Sequence, residues 1–515
     1  MNEQTRRTDE PRPANWTTWL GLAVLALPTA LLGLDVTLLY LALPVLAVEL
    51  DASATQSLWI MDAYGFMIAG FLVTMGSLGD RIGRRRLLVW GILAFAAASI
   101  LAAFSTTPQM LILARGLLGL AGATLMPSTL ALISNMFSLR PQRALAIGVW
   151  ATMFALGMAA GPLLGAWLLE RFWWGAAFLV ALPVAAVVLL AAPVLLPEYR
   201  GLNRSPLDVA SAVLSLLAIL PAIYALKEAA RLGFGLASAL ALAISIGFAV
   251  LFVRRQAKLS QPLLDLTLFN NRTFTTALLI LLLGLVSVGG IMLLVTQYLQ
   301  LVLEFSPVLA GAWMGPPALM MVAAGIAAPL FARRVRPGVV VAVALAISAI
   351  GYGLIAVLER SDPVLMVMVG FSLAYLGLGT IAALGTDLVV EAAPPEKAGS
   401  ASALSEMVQE LGIAFGVALL GSLVTYVYRR EITASLVSQA DAARSAAVFD
   451  GMPAAFAARH VLPLEMLEQA RSAFIDGLNC AGLLAALLNL GLAALSVTAL
   501  RPVPVTGHAS VEPTC

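Results

Sequence analysis

Charge is scarce in this chain. Of its 515 residues, 11% are Asp, Glu, Lys or Arg and 61% are hydrophobic, with a mean hydropathy of +0.96. Soluble domains carry about 25% charged and about 45–50% apolar residues, so a water-soluble fold is excluded. Cysteine is nearly absent: only Cys480 and Cys515 occur, which leaves no disulfide framework and no metal site to expect. Histidine is limited to His460 and His508, too few for a nucleophile–histidine centre. No Gly-x-x-x-x-Gly-Lys-Ser/Thr loop is present, which argues against an ATP-driven cycle. Neither an enzyme nor a cofactor is expected. A net charge of +2 gives no reason to expect a nucleic-acid partner.

What the chain has is long apolar runs, each about 20 residues and so long enough to cross ~30 Å of hydrocarbon. Fourteen fall near residues 17–44, 57–78, 87–104, 110–136, 143–168, 173–196, 207–226, 236–253, 274–300, 307–332, 338–358, 362–390, 398–428 and 474–500. Continuous runs of Leu, Ala, Val and Gly indicate helices rather than the alternation of a membrane barrel. The expected fold class is an all-α polytopic membrane protein embedded in a lipid bilayer. With both termini on one side, 20 Lys/Arg lie on that side and four (Arg171, Lys227, Arg231, Arg360) in the short opposite loops. This bias places the termini in the cytoplasm.

LGMAAGPLLG (Leu156 to Gly165) returns as LGIAFGVALLG (Leu411 to Gly421), offset by 255 residues; SLGDRIGRRR (Ser77 to Arg86) returns weakly as LFARRVRPG, offset by 252. A duplicated six-helix unit follows. The expected divisions are a tail at 1–16, a first bundle at 17–196, a linker with two inserted helices at 197–255, a second bundle at 256–500, and a tail at 501–515. Within the second bundle, segment 429–473 reads as two amphipathic helices broken at Asp450-Gly451-Met452-Pro453, either a hairpin over the external mouth or a loose connector.

Acids inside apolar runs cost about 2.5–3.5 kcal/mol on insertion scales, so each needs a reason. In LDVTLLYLALP, Asp35 lies nine residues before Pro44, about 14 Å deep. It is either one half of a structural salt bridge or a carboxylate that exchanges a proton for a cation. Asp62, in LWIMDAYGFMIAG, is either a helix-start acid or a second acid facing an outward vestibule. Glu406 and Glu410 stand four apart on one helix face, and ionising both in low dielectric is costly. Arg115, in LILARGLLGLAGAT, is either a snorkelling arginine or the charge partner of a membrane carboxylate. Trp150, Met153, Phe154, Trp313 and Met314 are candidates for an adaptable apolar pocket, with core packing or lipid contact as the alternative.

Several of these stretches coincide with one family. GSLGDRIGRRR, with Gly76, Asp80, Arg81, Gly83 and Arg84, resembles the loop 2–3 signature of the major facilitator superfamily. Arg115 with Gly119 and Gly122 is similar to its helix-4 pattern. Gly157, Gly161, Pro162 and Gly165 resemble its antiporter helix-5 motif. Asp35, Thr37, Ala42, Leu43 and Pro44 resemble the helix-1 motif of its fourteen-helix drug/proton antiporter branch, the QacA/SmvA type. The resemblance covers about residues 17–500. It implies the major facilitator fold with 14 helices in a 6+2+6 order, gating by residues 76–86, and a multidrug efflux pump driven by the proton gradient. It further implies proton coupling and cation binding by Asp35, Glu406, Glu410 and Asp62. Lipophilic cations and protons would be its partners, handled by a monomer in the bacterial cytoplasmic (inner) membrane. Some such pumps carry a further acid in helix 10; here GAWMGPPALMMVAAG has none. The rival expectations are an exporter of one metabolite or self-made antibiotic on the same frame, and a membrane sensor that transports nothing.

Overall fold

A computed structural model describes residues 14–137, 139–200, 208–259, 262, 266–359, 363–394, 398–436 and 448–505. Most of the two expected tails and residues 437–447 of the long loop lie outside them. Thirteen helices among the described residues are long and apolar enough to span a membrane, and a fourteenth, α2, does so as a helix bent by 54°.

The spans are α1 (Trp16–Glu49), α2 (Ala54–Ile82), α3 (Arg84–Ala103), α4 (Pro108–Met136), α5 (Arg140–Arg171) and α6 (Ala176–Leu195). An inserted pair follows, α7 (Val209–Leu232) and α8 (Leu236–Gln256). The last six are α9 (Arg272–Val302), α10 (Pro307–Ala332), α11 (Pro337–Ala356), α12 (Val364–Glu391), α13 (Ala398–Leu436) and α14 (Leu464–Ala499). The expected fourteen runs are these fourteen spans. The largest boundary shifts are in the second half, where α13 continues to Leu436 and α14 begins at Leu464, and α1 and α7 also run on, to Glu49 and Leu232, because the polar turns beyond the apolar runs stay helical.

Local chemistry sets the helix starts. Asn15 and Thr107 accept hydrogen bonds from the first-turn amides of α1 and α4, and Ser53 with Gln56 forms a capping box on α2. Asp208 caps α7; burial pushes its carboxyl up, but hydrogen bonds from Ser211 and Arg255 outweigh that and hold it below its ordinary value.

The packing repeats as the sequence does. In the first half α1 packs on α5, α2 on α4, and α3 on α4 and α6; in the second α9 packs on α13, α10 on α12, and α11 on α12 and α14. The glycines of the repeated motif make the match residue by residue. A Cβ on Gly157 would fall 2.1 Å from the Ala30 carbonyl oxygen, and one on Gly412 would fall 2.7 Å from that of Leu282. Ala30 and Leu282 are themselves 252 residues apart. Helices approach this closely only where a side chain is missing.

The halves touch along α1–α9, α2–α13 and α5–α10. The Tyr40 hydroxyl donates to the Gly289 carbonyl at 3.5 Å, and Gln300 donates to the Leu41 carbonyl at 3.1 Å. Gly311 of α10 sits against Pro162 and Ala166, and Gly421 of α13 against Leu58. These approaches lie toward the loop end, the end of the bundle opposite the chain termini. There the short Met452–Ala457 helix, entered through Gly451 at φ 130°, buries Met452 and Ala455. The Tyr428 hydroxyl donates to the Val448 carbonyl, and a small cavity of about 40 Å³ beneath is lined from both halves by Leu58, Leu294 and Gly421. The described part of the long loop is therefore folded down, with its break at Gly451. Toward the termini end, a cleft of about 370 Å³ opens beside Leu145, Gly148, Val149, Thr152 and Met153 of α5.

Candidate functional site

Asp35 lies on α1 between the glycine contacts to α5 and the face turned to α4. Gly157 brings the α5 backbone against Ala30 and Leu34; Gly161 brings it against Thr37 and Leu38. The Thr37 hydroxyl donates to the Met158 carbonyl at 2.9 Å, locking the two helices. Asp35 is thus held on a rigid stretch, its carboxylate 2.7 Å from Arg115. Arg115 is itself buried; its Nε donates to the Ile60 carbonyl at 3.2 Å, and its guanidinium lies 4.4 Å over the Tyr64 ring. A buried pair is tolerable only when its remaining donors are satisfied, and here α2 supplies both the carbonyl and the ring.

Glu406 and Glu410 share one face of α13. Among the described residues neither makes an ion pair or a hydrogen bond, although Glu410 is buried. Asp35 lies within electrostatic reach of Glu410, and both act on Tyr64. The first half thus brings a paired acid to the seam between the halves, and the second half brings two unpaired ones. At Gly65, α2 and α13 abut, a Cβ there meeting Ala414 at 3.0 Å.

Asp62 departs from expectation. It is 0% exposed and faces no vestibule in this conformation. Its carboxylate lies 2.5 Å from Lys227, itself buried, whose ammonium stands 4.2 Å over the Trp59 ring. By sequence, the apolar run ends at this charge, which assigns Lys227 to a short loop. In the structure α7 carries on to Leu232, and Lys227 belongs to its buried face. Leu216, Ile219, Ile223 and Lys227 recur at helical spacing, and that period was the signal available for including it.

Residues 76–86, expected as a loop, are the end of α2 and the start of α3, with Gly83 alone between the two helices. Gly83, at φ 112°, lets the chain reverse, and a Cβ there would strike the Glu198 carboxylate at 2.3 Å. Asp80 pairs with Arg84 at 2.7 Å, and Arg84 also reaches the Pro127 carbonyl at 3.3 Å. Arg85 and Arg86 flank Glu198, each 3.7 Å away. These bonds tie α2, α3, α4 and the end of α6 into one unit. Arg81 closes the last turn of α2, and Gly76 faces Pro127 of α4.

The five pocket candidates do not assemble into one. Trp150 is buried in the main core and donates from its indole to Thr129 at 3.0 Å. Met314 is buried as well, and Phe154 and Trp313 pack against the same core. Only Met153 lines the open cleft. Large apolar side chains near a seam go where burial is greatest, which composition alone does not specify.

The profile of the Major Facilitator Superfamily matches residues 25–417. The chain is 41% identical over 491 residues to the multidrug efflux pump LfrA of Mycolicibacterium smegmatis, covering 94% of this chain and 96% of that one. It is 34% identical to the methyl viologen resistance protein SmvA of Salmonella typhimurium over 92% of this chain and 97% of that one. A puromycin resistance protein of Streptomyces alboniger is 32% identical over 79% and 82% of the two chains. In fold it is similar to a bacterial homologue of the human lysosomal transporter Spinster, solved inward-facing and unoccupied. The TM-score is 0.67 at 17% identity, over 95% of this chain and 98% of that one. With fourteen apolar spans, a helix packing that repeats between its halves, and membrane acids gathered where the halves meet, the chain belongs to the major facilitator superfamily.

Proposed function

We propose that this protein is a proton-coupled antiporter that exports lipophilic cations: quaternary ammonium compounds, dyes and biguanides. It works as a monomer in the bacterial cytoplasmic (inner) membrane with both termini in the cytoplasm. The observation that carries this is the Asp35–Arg115 pair of the first half with the unpaired Glu410 of the second within its electrostatic reach, Glu406 standing one turn away on the same face of α13. Residues 17–196 and 256–500 act as the two rocking units, with 197–255 inserted between them. The contacts between the halves at the loop end support reading this conformation as closed to the outside.

In the cycle, an ionised glutamate on α13 draws a cation into the seam, where water is scarce and the attraction is strong. The bundles rock, and the site opens outward. Protons from outside then neutralise the acids, so the cation leaves. Asp35 is the acid whose protonation frees Arg115, so its state is read by α1, α2 and α4 together. Each charge crossing the field is worth about 2.3 kcal/mol per 100 mV. Two protons exchanged for one monovalent cation are therefore driven by voltage as well as by the pH gradient. The proton gradient serves in place of ATP or a cofactor.

The similarity to LfrA and SmvA supports this reading. The similarity to a puromycin resistance protein favours a second one, a dedicated exporter of one antibiotic. Purified protein in vesicles, given ethidium and a pH gradient, should move the dye and stop when a protonophore collapses the gradient. Intact, folded protein that moves no cation sinks the proposal. A susceptibility panel separates the two readings: resistance to many cations supports the first, and resistance to one compound the second.

A further inference from the structure

We propose that Lys227 of the inserted helix α7 is a tethered counter-cation, occupying a cation site made by the Asp62 carboxylate and the Trp59 ring, and that exported cations compete with it there. This rests on the cation-efflux reading and adds to it a specificity-determining residue contributed by a helix outside the two repeated bundles.

Lys227 and Asp62 are both effectively sealed from solvent, at 2% and 0% exposure. Among the described residues, neither has a polar partner besides the other. The ammonium meets a carboxylate at 2.5 Å and an aromatic face at 4.2 Å, in a buried position. Trp59 packs against a buried apolar cluster of Phe66 of α2, Ile223 of α7 and Ala414 and Ala418 of α13. A desolvated aromatic face beside a carboxylate is the chemistry that recognises quaternary ammonium and other soft organic cations. The chain fills that place with an ammonium of its own.

The placement suits competition better than bracing. A buried pair brings little stability compared with apolar side chains of the same volume, so holding α7 to α2 does not call for it. That task is met by Leu216, which fits where Gly70 of α2 has no side chain; a Cβ there would come within 2.7 Å of it. The ammonium has a way out. Lys227 is five residues from the end of α7, roughly 7.5 Å at 1.5 Å per residue, and a lysine stem of that reach can snorkel to the loop-end surface. Finally, α7 packs on both α2 and α13, so rocking of one half against the other moves the lysine relative to its carboxylate.

The test is tetraphenylphosphonium binding to the full chain in detergent or nanodiscs. Lys227→Met keeps the apolar stem and removes the competitor, and it should bind the probe about tenfold more tightly than wild type, the scale of one desolvated cation–π contact. Adding Trp59→Leu to Lys227→Met should remove that gain. Folded Lys227→Met protein that binds the probe no more tightly overturns the inference and leaves the pair a structural strut. Should Lys227→Met fail to fold, the exchanged pair Asp62→Lys with Lys227→Asp keeps both charges buried and adjacent. It should bind the probe at least about tenfold more weakly than wild type, because the carboxylate has moved off α2; binding equal to wild type overturns the inference. Wild type that binds no lipophilic cation at all defeats the efflux reading and this one together. Wild type that binds it, with Lys227→Met no tighter, defeats this one alone.

Discussion

The α1–α5 pair of the first half and the α9–α13 pair of the second are built on the same backbone contact and carry opposite electrostatics. Gly157 against Ala30 and Gly412 against Leu282 set the same close approach. Yet α1 carries an acid matched by Arg115, and α5 has alanines, Ala151 and Ala155, where α13 has Glu406 and Glu410. At the position 252 residues beyond Asp35, α9 carries Ser287, which Asn489 meets by hydrogen bond at 2.9 Å. Packing was kept through the duplication while charge was redistributed. Backbone contact constrains every helix in the pair, whereas charge is free to differ between the halves. The first half is the compensated side and the second the uncompensated side.

The sharpest break in this comparison comes from Asp35→Asn. It leaves Arg115 an acceptor, so membrane expression should match wild type, while ethidium efflux driven by a pH gradient falls to the background of empty vesicles; undiminished efflux removes Asp35 from the mechanism. Next is the sign of the stability change. Asp62→Leu strands the Lys227 charge and should cost about 3–5 kcal/mol. Glu410→Gln removes a buried acid that has no partner and should leave the melting temperature unchanged or higher. Thermal melts of both variants decide this, and a loss of equal size in the two would erase the distinction between the halves.

The shared contact is tested by matched variants. Gly161→Ala and Gly416→Ala should each lose about 1–3 kcal/mol by overpacking, since a Cβ would come within 1.9 Å of Thr37 and 2.2 Å of the Val286 carbonyl. A difference of more than that range between them would deny that the two interfaces are equivalent. Glu406→Gln should weaken ethidium binding about tenfold, or about 1.4 kcal/mol, and flatten its dependence on pH, as read by titration calorimetry at several pH values. Last, Gly148→Ala lies on α5 away from α1, with open space where its Cβ would go, and should gain about 0.5–1 kcal/mol.

Much of the site was legible because charge in an apolar run is conspicuous. Asp35, Arg115, Glu406 and Glu410 stand out by their surroundings alone; in the structure Asp35 pairs with Arg115, and Glu410 lies within its electrostatic reach. Lys227 did not, because it sits where a span ends and a terminal charge reads as a loop. Asp62 was visible, but its sealing by α7 was not, since nothing local says which face of α2 the inserted helix will cover. The aromatic and methionine candidates scattered for a related reason: Trp150 found Thr129, and Met314 found the core.

Sequence alone determined that the chain crosses a bilayer fourteen times and that its halves repeat, because long continuous apolar runs can cross hydrocarbon only as helices and glycine spacing dictates which helices can touch closely. Tertiary structure alone decided which charges neutralise one another. An ion pair is a matter of a few ångströms between side chains far apart in the chain, from Asp35 to Arg115 and from Asp62 to Lys227, and no periodicity along one helix encodes that distance.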